Sequence, residues 1–242
     1  MSALHQPAHG QLEKIPGGFF DAEPHVYYDE SMQRVPGTTS LLEAAGMVCY
    51  AGIPEAILDR KAQIGTAAHA ASHFFDEGDL DESTVDPAVL GYVNAWKRFR
   101  RESDFAPEFL EYRGVSEVDG MKYGWTLDRT GLLFKRRSLL ELKCTANVEP
   151  SWGPQTAAYE SASRRIGKGA GPFRRRIAVW LKPNGTYRLV PYTDVQDYQI
   201  FKLALRCHYV PAQRDAMLKT IRLWMESKGK TFGEAESDGN AN

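Results

Sequence analysis

Between Ser138 and Thr145 the chain reads Ser-Leu-Leu-Glu141-Leu-Lys143-Cys-Thr, an apolar stretch of strand length with an acid and a base embedded in it. Runs of this composition are buried strands. Burying a carboxylate and an ammonium is costly unless hydrogen bonds, a counter-charge or a metal compensates. Any fold this chain adopts must therefore bring partners to both groups. Strand side chains alternate, so Glu141 and Lys143 share one face while Leu140 and Leu142 take the other. Upstream, Lys122 to Asp128 reads as a second strand that ends on an acid, and Gly131 in the intervening segment is consistent with a hairpin turn. Antiparallel pairing of the two strands would set Asp128 beside Glu141. On an edge strand the same Glu-x-Lys spacing would be a solvated pair, so the surrounding residues decide.

Two carboxylates about 4 Å apart repel by roughly 4 kcal/mol at an effective dielectric near 20. Either one takes a proton or a cation sits between them. Oxygen donors with few soft ligands favour Mg²⁺ or Mn²⁺, which keep waters for a substrate phosphate. Such an ion polarises a phosphoryl oxygen and lowers the pKa of its bound water. Lys143 would then orient or deprotonate the attacking water and balance charge on the phosphate. Downstream, Trp152-Gly-Pro-Gln155-Thr-Ala-Ala-Tyr159 places Gln155 and Tyr159 on one helical face. An ordinary amphipathic helix would show the same spacing.

Asp128, Glu141-Leu142-Lys143 and Gln155-Thr-Ala-Ala-Tyr159, together with an upstream Gly65-Thr-Ala-Ala-His69, resemble the PD-(D/E)XK nuclease superfamily in its RecB-like, phage-type exonuclease branch. The earlier His25-Val-Tyr-Tyr-Asp stretch and the following Val-Pro-Gly-Thr-Thr-Ser-Leu-Leu are similar to the N-terminal segment of phage and bacterial members, so the resemblance spans roughly residues 24 to 210. One departure is that Gly124 stands a position further upstream of the acid than in the shortest form of the motif. The resemblance implies Asp128 and Glu141 as central metal ligands, the Leu142 carbonyl as a third, and His69 completing the shell directly or through water. It places an auxiliary acid on the first strand of the sheet, for which Glu111 is a better match than Glu117. Gln155 and Tyr159 would hold the scissile-strand phosphate or orient Lys143. The implied activity is Mg²⁺- or Mn²⁺-dependent hydrolysis of DNA, acting in phage or bacterial recombination or repair with a single-strand annealing or recombination protein as partner.

The implied fold is α/β, a central mixed sheet flanked by helices as in restriction endonucleases, with N-terminal and C-terminal helical additions. Residues 18–230 read as one nuclease domain between a flexible segment at 1–17 and a disordered acidic tail at 231–242. Phe19 to Asp29 looks extended. Thr38 to Ala45 opens on threonines suited to capping, and Gly46 closes that helix. Pro54 to Gly78 is helical and carries His69, followed by a solvated acidic loop from Asp76. Pro87 to Ser103 shows an apolar stripe at helical spacing, more core than ligand set. Phe109 to Val118 is the first strand of the sheet. Arg175–Leu181 and Thr186–Pro191 are strands around a Lys182-Pro-Asn-Gly185 turn, and Asp194–Tyr209 and Ala212–Lys228 are helices.

With 242 residues, 43% of them hydrophobic, the chain can bury a substantial core. Lys and Arg total 30 against 31 Asp and Glu, so any nucleic-acid surface must be local. Positive charge clusters at Lys97–Arg101, Lys135–Arg137, Arg164–Lys168 and Arg174–Arg176. Of these, Arg164, Arg165, Arg174, Arg175 and Arg176 are the expected phosphate contacts. Trp152 and Trp125 are candidates to stack on bases, with core packing the alternative. Three scattered cysteines without CxxC spacing exclude a four-cysteine iron–sulfur cluster and point away from a disulfide framework. The sequence shows no signal-like start and no apolar run of spanning length, which suggests a cytoplasmic protein. Two rivals are an idle nucleic-acid-binding module on the same fold and a zinc hydrolase on His69 and His73. Ala70 stands where the zinc hydrolase needs its glutamate base.

Overall fold

The computed structural model describes residues 12–48, 52–166 and 173–228. Four short strands come first: β1 (Glu13–Ile15), β2 (Gly18–Asp21), β3 (Val26–Asp29) and β4 (Arg34–Val35), paired in that order as an antiparallel meander. Helices α1 (Thr38–Ala44), α2 (Glu55–Glu77) and α3 (Pro87–Ser103) follow. Then come β5 (Ala106–Val118), β6 (Met121–Leu133), β7 (Arg136–Lys143), α4 (Trp152–Ile166), β8 (Arg175–Leu181), β9 (Tyr187–Tyr192), α5 (Asp197–Tyr209) and α6 (Arg214–Ser227).

The main sheet runs β5-β6-β7-β8-β9, with β7 and β8 parallel across the α4 crossover and every other pair antiparallel. This is the expected mixed sheet flanked by helices. Alternation along β7 divides the core as the sequence predicts. Leu139 joins α1, α4, α5 and α6 on one side, and Leu140 and Leu142 join Trp96 and Phe99 of α3 on the other. Helix α3 begins as its sequence dictates, with Pro87 in the first turn and the Asp86 carboxylate accepting from Ala88 N at 2.7 Å.

Several expectations need correction. Glu13–Ile15 form β1, so the segment 1–17 is not wholly without structure; its first eleven residues, and the tail from 229, lie outside the described residues. The N-terminal addition is a four-stranded sheet as well as helices. Thr38 does not cap α1: Gly37 holds that place, and the Thr38 hydroxyl donates to the Gly124 carbonyl at 2.9 Å. Strand β6 does not end on Asp128 but continues to Leu133, and the turn is Phe134-Lys135, both at positive φ. The sequence pointed to Gly131 because glycine is the usual turn former. Gly131 instead allows a close approach, since a Cβ there would lie 2.1 Å from the Ala106 carbonyl oxygen.

The small sheet is docked on the main one by backbone and ring contacts. Val115 N donates to Pro16 O and Gly124 N to Pro36 O, both at 2.9 Å. The Tyr27 ring sits directly over Gly124, where a Cβ would come within 2.0 Å of it. Gly124→Ala should therefore destabilise the protein by about 1–3 kcal/mol. Gly65, in the interior of α2, has nothing within 4 Å of an added Cβ. Gly65→Ala should stabilise by roughly 0.5–1 kcal/mol. Chemical denaturation of both variants checks the opposite signs.

Candidate functional site

Strands β6 and β7 keep one register from Arg129 opposite Leu140 to Leu133 opposite Arg136, which extends to Asp128 facing Glu141. At that rung the ladder gives way to a side chain: Leu142 N donates to Asp128 Oδ2 at 2.7 Å. Alternation along β6 also breaks there. Leu127 packs into the α4–α5 core, whereas Arg129, two residues on, reaches Asp76 and the Trp96 ring on the α3 side. The residue of β5 opposite the break, Glu111, is itself at φ +49°. The break sets the Asp128 carboxylate between the strands and α2, where His69 Nδ1 lies 3.4 Å from Oδ1.

Glu141 Oε1 accepts from Gln155 Nε2 at 3.0 Å and faces Lys143 Nζ at 3.3 Å. Its other oxygen, Oε2, is buried with no partner among the described residues. Gln155 Oε1 accepts from Lys143 Nζ at 2.7 Å, and Nε2 also donates to the Tyr159 hydroxyl at 2.9 Å. One amide thus orients both members of the Glu-x-Lys pair. Thr39 Oγ1 of α1 stands 3.4 Å from the same amide nitrogen. The sequence brings these together because β7 alternation and the four-residue helical spacing aim both sets at one point.

Charge balance splits the two acids. Burial, then the neighbouring Asp128 charge, pushes Glu141 up to about 7. Burial also acts to raise Asp128, but His69, Arg129 and Lys143 outweigh it and hold the carboxyl below its usual range. His69 is raised, the Asp128 charge overcoming the effect of burial. Among the described residues, no three His, Cys, Asp or Glu side chains form a ready cage for a metal. The unpartnered Glu141 oxygen beside a second carboxylate and an imidazole is nevertheless a donor set that suits a divalent cation.

Beneath this centre lies a network that the sequence did not reveal. Arg129 Nε bonds Asp76 Oδ2 at 2.6 Å, and Nη1 donates to the Asp128 carbonyl at 2.8 Å. Asp76 also accepts from Trp96 Nε1 at 3.1 Å and pairs with Arg100. Asp76 is thus a fully enclosed anchor on α2, not the start of a solvated loop. His69 and Asp76 are two turns apart on one face of that helix. The only sequence signal was an acid in an Asp-Glu-Gly-Asp run, which ordinarily reads as surface.

The other candidate residues differ in where they lie. Glu111 bonds Arg113 at 3.3 Å and stands on a backbone at φ +49°. Trp152 and Trp125 are buried; Trp152 packs edge-on to Trp180, and Trp125 Nε1 donates to Ser116. Neither offers a face to a base. Arg176 is buried and bound to Asp197 at 3.0 Å, Glu160 at 3.3 Å and the Gly153 carbonyl at 3.0 Å, which makes it a core tie rather than a phosphate contact. Tyr159 is buried and anchors Gln155 rather than reaching a phosphate itself. Arg164 pairs with Glu160 at 2.5 Å on the side of α4 opposite Gln155, and Arg165 donates to the Glu117 carbonyl. Arg174 and Arg175 enter β8 beside Ser138, about 16 Å along the strand from Lys143. None of these cations is brought to the carboxylates.

No protein-family profile matches the sequence, and no curated protein is similar to it. Among solved structures, a protein of Eubacterium rectale provisionally named an exonuclease is similar, with TM-score 0.45 and 10% identity over 65% of this chain and 68% of that one. SSO0001 is similar with TM-score 0.32 and 13% identity over 60% of this chain and 72% of that one. At such distances neither likeness bears on chemistry. No helix among the described residues is long and apolar enough to cross a membrane.

Two outcomes follow from the electrostatics. Asp76→Asn leaves Arg129 and Arg100 without their carboxylate and should destabilise by about 3–5 kcal/mol. Thermal unfolding measures it. Glu141, raised when folded, binds its proton more tightly in the native than in the unfolded state. It therefore favours folding fully only below about pH 4.5, and that contribution is lost as pH rises towards 7. Metal-free Glu141→Gln should be more stable than the wild type at pH 8, by up to about 3 kcal/mol. The advantage should vanish near pH 4.5 in urea titrations.

Proposed function

We propose that this chain is a divalent-metal-dependent DNA nuclease that hydrolyses phosphodiester bonds, acting as an exonuclease in phage or bacterial recombination or repair. The observation that carries the reading is the buried, unpartnered Glu141 oxygen beside Asp128, on the strand face where Gln155 tethers Lys143. Asp128, Glu141 and His69, with the Leu142 carbonyl, would hold Mg²⁺ or Mn²⁺. The ion supplies Lewis acidity and a water of lowered pKa when bound. Lys143 presents its Nζ protons beside Glu141, where it can orient the attacking water and offset charge growing on the phosphate. Gln155 removes the rotational freedom of that long side chain, and Tyr159 fixes Gln155 in turn. Arg129, through the Asp128 carbonyl, keeps the acid at its break in the strand.

A DNA-binding module without catalysis is the second reading, favoured by the lack of a ready metal cage among the described residues. End-labelled linear and closed circular DNA in Mg²⁺ or Mn²⁺ separates the two. The wild type should cut, and Asp128→Asn or Glu141→Gln should abolish cutting and Mn²⁺ binding by calorimetry. Lys143→Ala should keep near-normal affinity for DNA and metal yet cut at least about 100-fold more slowly. Wild-type protein that leaves single- and double-stranded DNA intact in both metals decides for the module.

A further inference from the structure

The turn between β6 and β7 has only two residues: Leu133 pairs with Arg136, and Phe134 and Lys135 between them have φ of +48° and +60°. Two successive left-handed residues make a tight hairpin turn whose usual occupants are Asn-Gly, because a Cβ is strained there. Phe134 is 53% exposed and its neighbour Leu132 44%, so the strained aromatic is not retained for core packing. Strain at an exposed tip points outward, to a contact with another molecule.

The charge around the tip says which kind. Lys135, Arg136 and Arg174 are exposed and Arg175 is half-buried. The start of β8 adjoins the hairpin base, where Arg174 N donates to Arg137 O at 2.8 Å. Arg137 itself is neutralised by Glu108 at 2.8 Å. No side-chain hydrogen bond or ion pair engages Lys135, Arg136, Arg174 or Arg175 among the described residues. In a chain of net charge −1, four unpaired cations around an exposed aromatic are a strong local excess.

We propose that this hairpin tip is a nucleic-acid contact, in which the Phe134 ring stacks on an unpaired base and Lys135, Arg136, Arg174 and Arg175 hold the adjoining phosphates. Stacking needs an open base face, so the ligand is single-stranded DNA or a duplex with a single-stranded end. Its placement relative to the cut rests on the nuclease reading. Leu133 is five rungs from Asp128 along β6, about 17 Å, which corresponds to roughly five nucleotide steps.

Fluorescence anisotropy with labelled single-stranded DNA and the full chain in EDTA tests the contact without cleavage. Phe134→Ala should weaken binding roughly 5- to 100-fold, and Phe134→Trp should restore it. Replacing Lys135 and Arg136 by Gln should lower the log–log salt slope by about 0.7 for each lost contact. The double change Phe134→Asn with Lys135→Gly should raise the melting temperature by a few degrees while weakening binding, which a purely structural tip would not do. Unchanged affinity and slope in all these variants would overturn the proposal. So would binding to phosphatidylserine vesicles in place of DNA. Because nothing is cut in EDTA, a wild type that fails to cleave in metal would sink the nuclease reading and leave these binding results standing.

Discussion

Leu142 gives its backbone N–H to the Asp128 carboxylate, where an ordinary strand would offer a carbonyl. That one substitution shapes the centre of the molecule. It holds the acid between two central strands, and it coincides with the point where β6 turns its side chains over. From there, Arg129 reaches back to Asp76 and ties α2, with His69, to the sheet. The carboxylate is therefore positioned by a strand, a helix and its own backbone together.

Such an arrangement is favourable only as a whole. Buried polar networks gain from low dielectric when every member is satisfied and lose heavily when one is missing. Here most members are satisfied: Gln155 serves Glu141, Lys143 and Tyr159, and Asp76 serves two arginines and a tryptophan. The exceptions among the described residues are one oxygen of Glu141 and Nη2 of Arg129. A carboxyl pressed towards neutrality by burial and by a like charge is a local defect in stability, and defects of that kind concentrate where chemistry is done.

The strands around this centre could be read from the sequence because period-two alternation is strict in β7, and the helix of Gln155 because its spacing is regular. The closeness of Asp128 to Glu141 follows from those patterns. What escaped was long-range or irregular. Asp76 looked solvated because its partners, Arg129 and Arg100, lie far away in sequence. Strand periodicity does not anticipate the reversed backbone at Glu111. Proximity along the chain suggests that the arginines near Gln155 gather at the carboxylates, yet α4 turns Arg164 away and the register of β8 carries Arg174 and Arg175 to the far end of the sheet, where they remain open to a phosphate. Local rules favour Gly131 as the turn and do not anticipate Phe-Lys in a left-handed pair.

The Tyr27 ring over Gly124 also bears on how this molecule can be divided. The small sheet looks like an appendage, yet its tyrosine fills the volume above the strand that carries Asp128, and its hydroxyl bonds Thr126 at 2.8 Å. A fragment trimmed to begin at α3 would expose that glycine-floored hollow and strand the amides of Val115 and Gly124 without acceptors. The smallest cooperative unit that keeps the acid in place therefore includes Pro16, Tyr27 and Pro36, and minimal versions of this fold must carry those strands of the meander with them.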